Sequence, residues 1–336
     1  MMLDIRGKFG LLALGGAFVL AISGQTALAQ KKVIVAAGES AGGVVNAAIS
    51  GIAKVVTQKT STSVRLRTYS GAEAWLPLVD NGKVQLGVHF AATAWLAYNQ
   101  IDSKLKLRNL RLIRSSRAAT PLGFMVRKSS GINSVKDLKG KRVAGGYGAH
   151  PIMRRLAGGI MGVYGLSWSD VKMVPVPAAG QGSRALQDDR VDAAWYAVFA
   201  PATREVHSKI GVKFLPIPLS PAQMKMAREK IFPGILQIKV PANPPWAPKG
   251  TPLVSYEIYV LASTKTDDAT VKTVLGALWD NAKMVQKIHP VLRGFKNSVA
   301  VSKRPVIPYH KAAIDFYKSK GTWTAETDAV NAKIAR

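Results

Sequence analysis

The chain has 336 residues, 48% of them hydrophobic, no cysteine and a formal net charge of +28. The absence of cysteine removes disulfides, thiolate nucleophiles, Cys-based zinc sites and a lipid-modified N-terminal Cys together, so the core alone must hold the fold. A chain of this size buries such a core and usually divides into two domains.

Arg6 and Lys8 precede an apolar run from Phe9 to Ile22 and then Ala27-Leu28-Ala29. A basic start, a short apolar stretch and an Ala-x-Ala site describe a cleaved secretory signal, here residues 1–29, with the mature protein starting near Gln30 in the periplasm. No later segment approaches the roughly 18 apolar residues of a membrane span. In an exported chain the basic excess finds no nucleic acid. Its lysines are also scattered, from Lys104 through Lys209 to Lys318, which fits attraction for anionic solutes.

The first unit is a β-branched run, Lys32–Ala37, a loop over 38–43, and Val44–Val56 with apolar residues at helical spacing. Ser63–Tyr69 alternates as a half-buried strand, and Ser70-Gly71 turns into a helix over Ala72–Asp80 that contains Pro77. A strand at Val84–Val88, a loop from His89 and a short helix at Ala94–Asn99 follow. Strands at Leu110–Arg114 and Leu122–Arg127 then lead away from this first lobe.

Ser134–Arg155 gives a turn ending in Gly140, a strand over Lys141–Ala144, a small-residue loop over 145–150, and Pro151 where a helix begins. Backbone N–H groups at such a helix start, beside glycines that permit close approach, make a site for a carboxylate or similar anion. The helix runs to Tyr164. A strand at Val171–Val176, the loop 178–183, a helix to Leu186 and a strand at Val191–Tyr196 come next.

Val212–Ile217 reads as a strand, and Ser220-Pro221-Ala222-Gln223 carries helix-start residues in register. Val240–Pro252 reads as a proline-rich loop and Val254–Ser263 as one strand returning to the first lobe. Asp267–Ile288 reads as one long amphipathic helix and Tyr309–Lys318 as a short last one.

Leu78–Gln85 and Leu186–Asp192 echo each other, each passing from a helix end through an acidic turn into a buried strand. The expected fold is therefore α/β: two similar lobes with a ligand cleft between them, joined by two crossing segments. Residues 30–118 with 255–336 make the first lobe, and 119–254 the second. Ligands lie at the carboxyl ends of strands in such sheets.

The cleft loops then supply Glu39, Ser40, Ala41 and Gly42; Tyr69, Ser70 and Gly71; His89 and Phe90; and Tyr147, Gly148 and His150. Arg154, Gln181, Trp195 and Tyr196 complete the expected ligand contacts, Arg154 as a partner for a carboxylate. The aromatic residues suit an apolar or aromatic ligand body.

Val33–Gly43 entering a helix, Leu78–Val88, Gly131–Val143 and Val191-Asp192-Ala193-Ala194-Trp195, in that order, resemble the extracytoplasmic solute receptors of TRAP transporters, TAXI subgroup. The segment 131–143 is shared with periplasmic binding proteins of ABC importers. The resemblance implies a receptor that closes on a small organic anion and delivers it to a membrane permease of a TRAP transporter. The chain is expected to be a monomer when free and to use no cofactor. The alternative is an ABC-importer binding protein for a sulfonate or heterocyclic ligand.

An enzyme is the remaining reading. Gly38-Glu39-Ser40-Ala41-Gly42 fits the Gly-x-Ser-x-Gly elbow of a serine hydrolase, but it follows the first strand and leaves no earlier loop for the second oxyanion donor. The five histidines have no metal-ligand spacing, so no metal is expected.

Overall fold

A computed structural model describes residues 31–39, 44–101, 105–117, 121–148 and 150–335. The signal segment 1–29 and the loop residues Ser40, Ala41 and Gly42 lie outside the described residues.

In the first lobe, strands β1 (Lys32–Glu39), β2 (Thr62–Tyr69), β3 (Leu86–Phe90) and β4 (Leu110–Ser115) alternate with helices α1 (Val44–Lys59), α2 (Ala72–Asp80) and α3 (Ala91–Asn99). β1 pairs in parallel with both β2 and β3, which requires crossover connections, and α1 and α2 provide them. Val45, Ile49, Ile52 and Val56 of α1 are buried, as their spacing in the sequence requires. At Gly87 a Cβ would lie 2.2 Å from Trp75 Cζ3, so only glycine lets the indole of α2 seat on β3.

The second lobe comprises β5 (Leu122–Arg127), β6 (Arg142–Gly146), α4 (Pro151–Val163), β7 (Lys172–Val176), α5 (Ala179–Gln187), β8 (Ala193–Ala197) and α6 (Pro201–Ile210). It continues through β9 (Val212–Phe214), α7 (Pro221–Lys230), β10 (Leu236–Lys239) and β11 (Pro252–Ser255). The chain then returns through β12 (Ile258–Ser263) to α8 (Asp268–Asp280), α9 (Ala282–Ile288), α10 (Lys311–Ser319) and α11 (Ala325–Ile334).

The two sheets share one scheme. The first is ordered β2-β1-β3-β12-β4; the second is ordered β10-β11-β5-β8-β6-β7, with β9 beside β5. In each, a central strand pairs in parallel with two neighbours (β1 with β2 and β3, β6 with β7 and β8). In each, the third strand of the set meets an antiparallel strand that arrives from the other lobe: β3 meets β12, and β8 meets β5. The sequence echo falls at matching places, the α2–β3 and α5–β8 joints.

The chain passes from the first sheet to the second between the end of β4 at Ser115 and the start of β5 at Leu122, and returns over Tyr256-Glu257. The stretch expected as one strand, Val254–Ser263, is therefore two: Val254 pairs with Leu122 in the second sheet, while Ile258 pairs with Phe90 in the first. The expected helix Asp267–Ile288 likewise breaks at Asn281. Three elements go beyond the sequence reading: α6, β10 and α11. The C-terminal helices cover the first sheet, where the Tyr317 hydroxyl donates to the Ile113 carbonyl at 2.9 Å.

Candidate binding site

A cavity of about 450 Å³ opens between the lobes. Its walls come from the end of β1 (Glu39), the start of α2 (Ser70 to Ala74, with Leu76), and the β3–α3 joint (His89, Phe90, Thr93, Leu96 and Ala97). Leu105, the start of α4 (His150 to Met153) and Tyr256 of the crossing segment complete them. Aliphatic and aromatic side chains make most of this surface, with a few polar groups among them.

Three helices begin at the cavity: α2 after Gly71, α3 after Phe90 and α4 after His150, and no side chain caps any of the three. The first-turn N–H groups of a helix lack partners within it and carry a partial positive charge, so convergent starts form an anion cradle. The Ala91 N–H is already taken, donating to the Glu257 carbonyl at 2.9 Å, and the Ala74 and Met153 N–H groups donate to the Gly71 and His150 carbonyls at 3.1 and 2.9 Å. Pro151 has no N–H but fixes φ for the first helical position of α4. Among the described lining residues there is no lysine or arginine.

Two carboxylates, Glu39 and Glu73, and two imidazoles, His89 and His150, also face this space. Glu39 Oε1 lies 3.0 Å from His89 Nε2. Burial alone would raise the Glu39 carboxyl, but the His89 hydrogen bond and charge outweigh it and hold the group below the ordinary carboxylate range. With Glu39 ionised, His89 Nε2–H is the donor of that bond, while its buried Nδ1 has no hydrogen-bond partner. Although the His150 residue is exposed, desolvation by the surrounding protein lowers the imidazole pKa, with Glu39 opposing the shift and His89 adding to it.

The structure brings together Glu39, Ser70, Gly71, His89, Phe90 and His150 of the expected contacts. It places the other described ones elsewhere, Ser40, Ala41 and Gly42 lying outside the described residues. Tyr147 is fully buried, and its hydroxyl accepts the Trp195 N–H at 3.1 Å; it points into the second lobe because its backbone is left-handed, with φ 52°, after Gly146 at φ 76°. Trp195 is buried against Phe124 with ring centroids 5.0 Å apart, because alternation along β8 turns it into the core.

Arg154 is exposed and outside the cavity lining, since the neighbouring Ile152 and Leu156 take the buried face of α4. Tyr69, Gly148, Gln181 and Tyr196 are likewise outside the lining. Gln181 is exposed on α5, and Tyr196 is half-buried at the end of β8.

Sequence reasoning missed Glu73, Thr93, Leu96, Leu105, Ile152, Met153 and Tyr256 as wall residues. Glu73, Ile152 and Met153 lie in the first turns of α2 and α4, whose starts the spacing places correctly, whereas α3 begins at Ala91 rather than at the expected Ala94, which brings Thr93 and Leu96 to the wall on its first two turns. For Tyr256 a signal exists: it follows a proline-rich stretch at the point where the chain must return to the first lobe.

Two comparisons bear on this geometry. The sequence matches the family described as NMT1-like over residues 35–321. The fold is similar to the periplasmic aliphatic sulphonate binding protein SsuA from Escherichia coli, at 14% identity and a TM-score of 0.52 over 90% of this chain and 85% of that one. It is also similar to PhnD1 from Prochlorococcus marinus, determined with methylphosphonate, at 12% identity and a TM-score of 0.56 over 87% of this chain and 100% of that one. A protein named as the periplasmic SsuA of a sulfonate ABC transporter from Methylobacillus flagellatus gives 16% identity and a TM-score of 0.51 over 90% and 94%. These likenesses establish the two-lobed binding-protein fold. Among the described residues no helix is long and apolar enough to cross a membrane.

Proposed function

Because the chain belongs to the NMT1-like family, we propose that it is a periplasmic, non-enzymatic solute-binding protein that captures a small organic monoanion and delivers it to the permease of an ABC-type importer. One observation carries the ligand class: three uncapped helix starts converge on a single, largely apolar cavity between two lobes. The helix ends hold a compact anionic group, and Phe90, Leu96, Leu105, Ile152, Met153 and Tyr256 take an apolar body. Contacts from both lobes make the closed form the better binder, so capture and closure are one event.

Glu39 and Glu73 add a restriction. A second negative charge on the ligand would face them with no lysine or arginine among the described lining residues to offset it, so monoanions bind better than dianions. Neighbours named for sulfonate binding, one of them as part of an ABC transporter, support an ABC importer over the TAXI-type receptor of the sequence resemblance. An adjacent gene for an ATPase separates the two from a large multi-span permease without one.

The test is a thermal-shift screen of alkanesulfonates, alkylphosphonates, monocarboxylates and dicarboxylates. A ligand that binds only the folded form raises the melting temperature. A monoanion should raise it and its dianionic analogue should do so less; a screen in which no anion stabilises the protein removes the reading. For a confirmed ligand, His150→Ala should weaken binding about tenfold, as expected for a lost hydrogen bond to a charged group.

A further inference from the structure

Outside the cavity, one side chain of the first lobe is held by two of the second. Trp95 of α3 packs edge-on against Phe232, just beyond α7, with ring centroids 5.4 Å apart at 61°. The Arg155 guanidinium of α4 stands over the same indole, 5.3 Å from its centroid. None of the three lines the cavity.

The two jaws are fixed to each other. Arg155 Nε donates to the Ile231 carbonyl at 2.5 Å and Nη2 to the Lys230 carbonyl at 3.3 Å, so the guanidinium also closes the carboxyl end of α7. At Gly159 a Cβ would lie 2.5 Å from Ile231 Cγ1, and its absence lets the end of α7 seat directly on α4. Phe232 is fully buried and continues inward to Tyr256 at 6.3 Å, which meets Phe90 at 5.4 Å. A row of rings therefore runs from the clamp to the cavity wall.

We propose that Trp95, gripped by Arg155 and Phe232, is an interlobe latch that sets how much of the protein occupies the closed form, and that these three are positioning residues for ligand capture. Apparent affinity scales with the fraction of protein already in the binding-competent form, so a latch outside the cavity tunes binding without touching the ligand. The inference goes beyond the proposed ligand class and stands whether or not that class is right, because its test needs no ligand.

The chain has no cysteine, so a single labelled pair is introduced cleanly. Thr68→Cys at the end of β2 and Gln181→Cys on α5 are both exposed, one on each lobe, and carry spin labels for a pulsed dipolar distance measurement on the full exported protein. The parent should show a dominant short distance. Trp95→Ala and Arg155→Gln should each shift the closed-to-open ratio toward the longer distance by about fivefold, the worth of a half-exposed cation–π contact. The double variant should shift it less than the two single changes added together, since both remove the same contact.

Distributions that coincide with the parent, or effects that simply add, overturn the proposal. Should Trp95→Ala lose its cooperative melt, Arg155→Lys decides. It keeps the charge and leaves the indole, but lacks the planar fork that stacks and bonds at once, so it should open the lobes partway. An unchanged distance distribution in Arg155→Lys would then sink the latch.

Discussion

Tyr147 shows how a residue near the cavity serves its wall from behind. Its hydroxyl accepts the Trp195 N–H, and its own N–H donates to the Val176 carbonyl at 2.9 Å, pinning the β6–α4 loop to β7 and β8. That pin holds His150 and the α4 start at the cavity. Tyr147→Phe leaves a buried N–H without its acceptor and should lower the unfolding free energy by about 1–3 kcal/mol, measured by urea denaturation.

His310 is a second residue whose state the fold dictates. Its Nδ1 accepts the Ala312 N–H at 3.1 Å as the cap of α10, so Nε2 carries the proton and faces the Thr266 carbonyl at 3.1 Å. Burial lowers its pKa, against the opposing pull of Thr266 and Asp268. The unfolded chain therefore takes up a proton near pH 6.5 that the fold resists, and this contribution to stability is lost as pH falls below that value. His310→Asn keeps a cap acceptor and removes the titration. Its melting temperature should vary less between about pH 7 and 5 than that of the parent, and an equal slope would refute the assignment.

At the scale of elements, the site depends on where helices start, and those starts depend on what lies beneath them. α2 reaches the cavity because Trp75 seats on Gly87 of β3. Gly87→Ala overpacks that contact and should cost about 1–3 kcal/mol of stability, read by chemical denaturation. It should also displace the Ser70–Ala74 wall. α7 shows a more local device: Ser220 Oγ accepts the Gln223 N–H at 3.2 Å while the Gln223 side chain returns to the Ser220 N–H at 3.0 Å. Ser220→Ala should cost about 1 kcal/mol, the usual worth of an N-cap, and α7 carries Phe232 of the latch at its far end.

For the molecule as a whole, the +28 formal charge acts at long range even though no lysine or arginine is among the described cavity residues. Under the proposed function, the basic surface draws anions toward the protein and the helix starts hold them once inside. The association rate for a monoanionic ligand should therefore fall as salt rises from about 10 mM to about 500 mM, while the dissociation rate changes little. Stopped-flow binding at several ionic strengths measures both, and a salt-independent association rate would leave the surface charge without this role.

The sequence by itself determined what local spacing controls. Apolar periodicity located β1, α1 and β5, Pro151 and Ser220 marked helix starts, and the Leu78 and Leu186 echo revealed two copies of one scheme. It also singled out Glu39, Ser70, Gly71, His89, Phe90 and His150, which do meet at one cavity, although Glu39, His89 and Phe90 stand at the ends of β1 and β3 rather than in loops. Tertiary structure alone decided which way side chains turn and where one sheet ends and the other begins. Tyr147 and Trp195 face the core and Arg154 faces outward, because direction follows from register against neighbouring elements, and spacing along the chain does not carry that register. Val254–Ser263 carries β-branched and aromatic residues along its whole length, yet its two halves pair with Leu122 and Phe90 in different lobes. Local sequence favours an extended chain there, and only the competing sheets determine where it must cross.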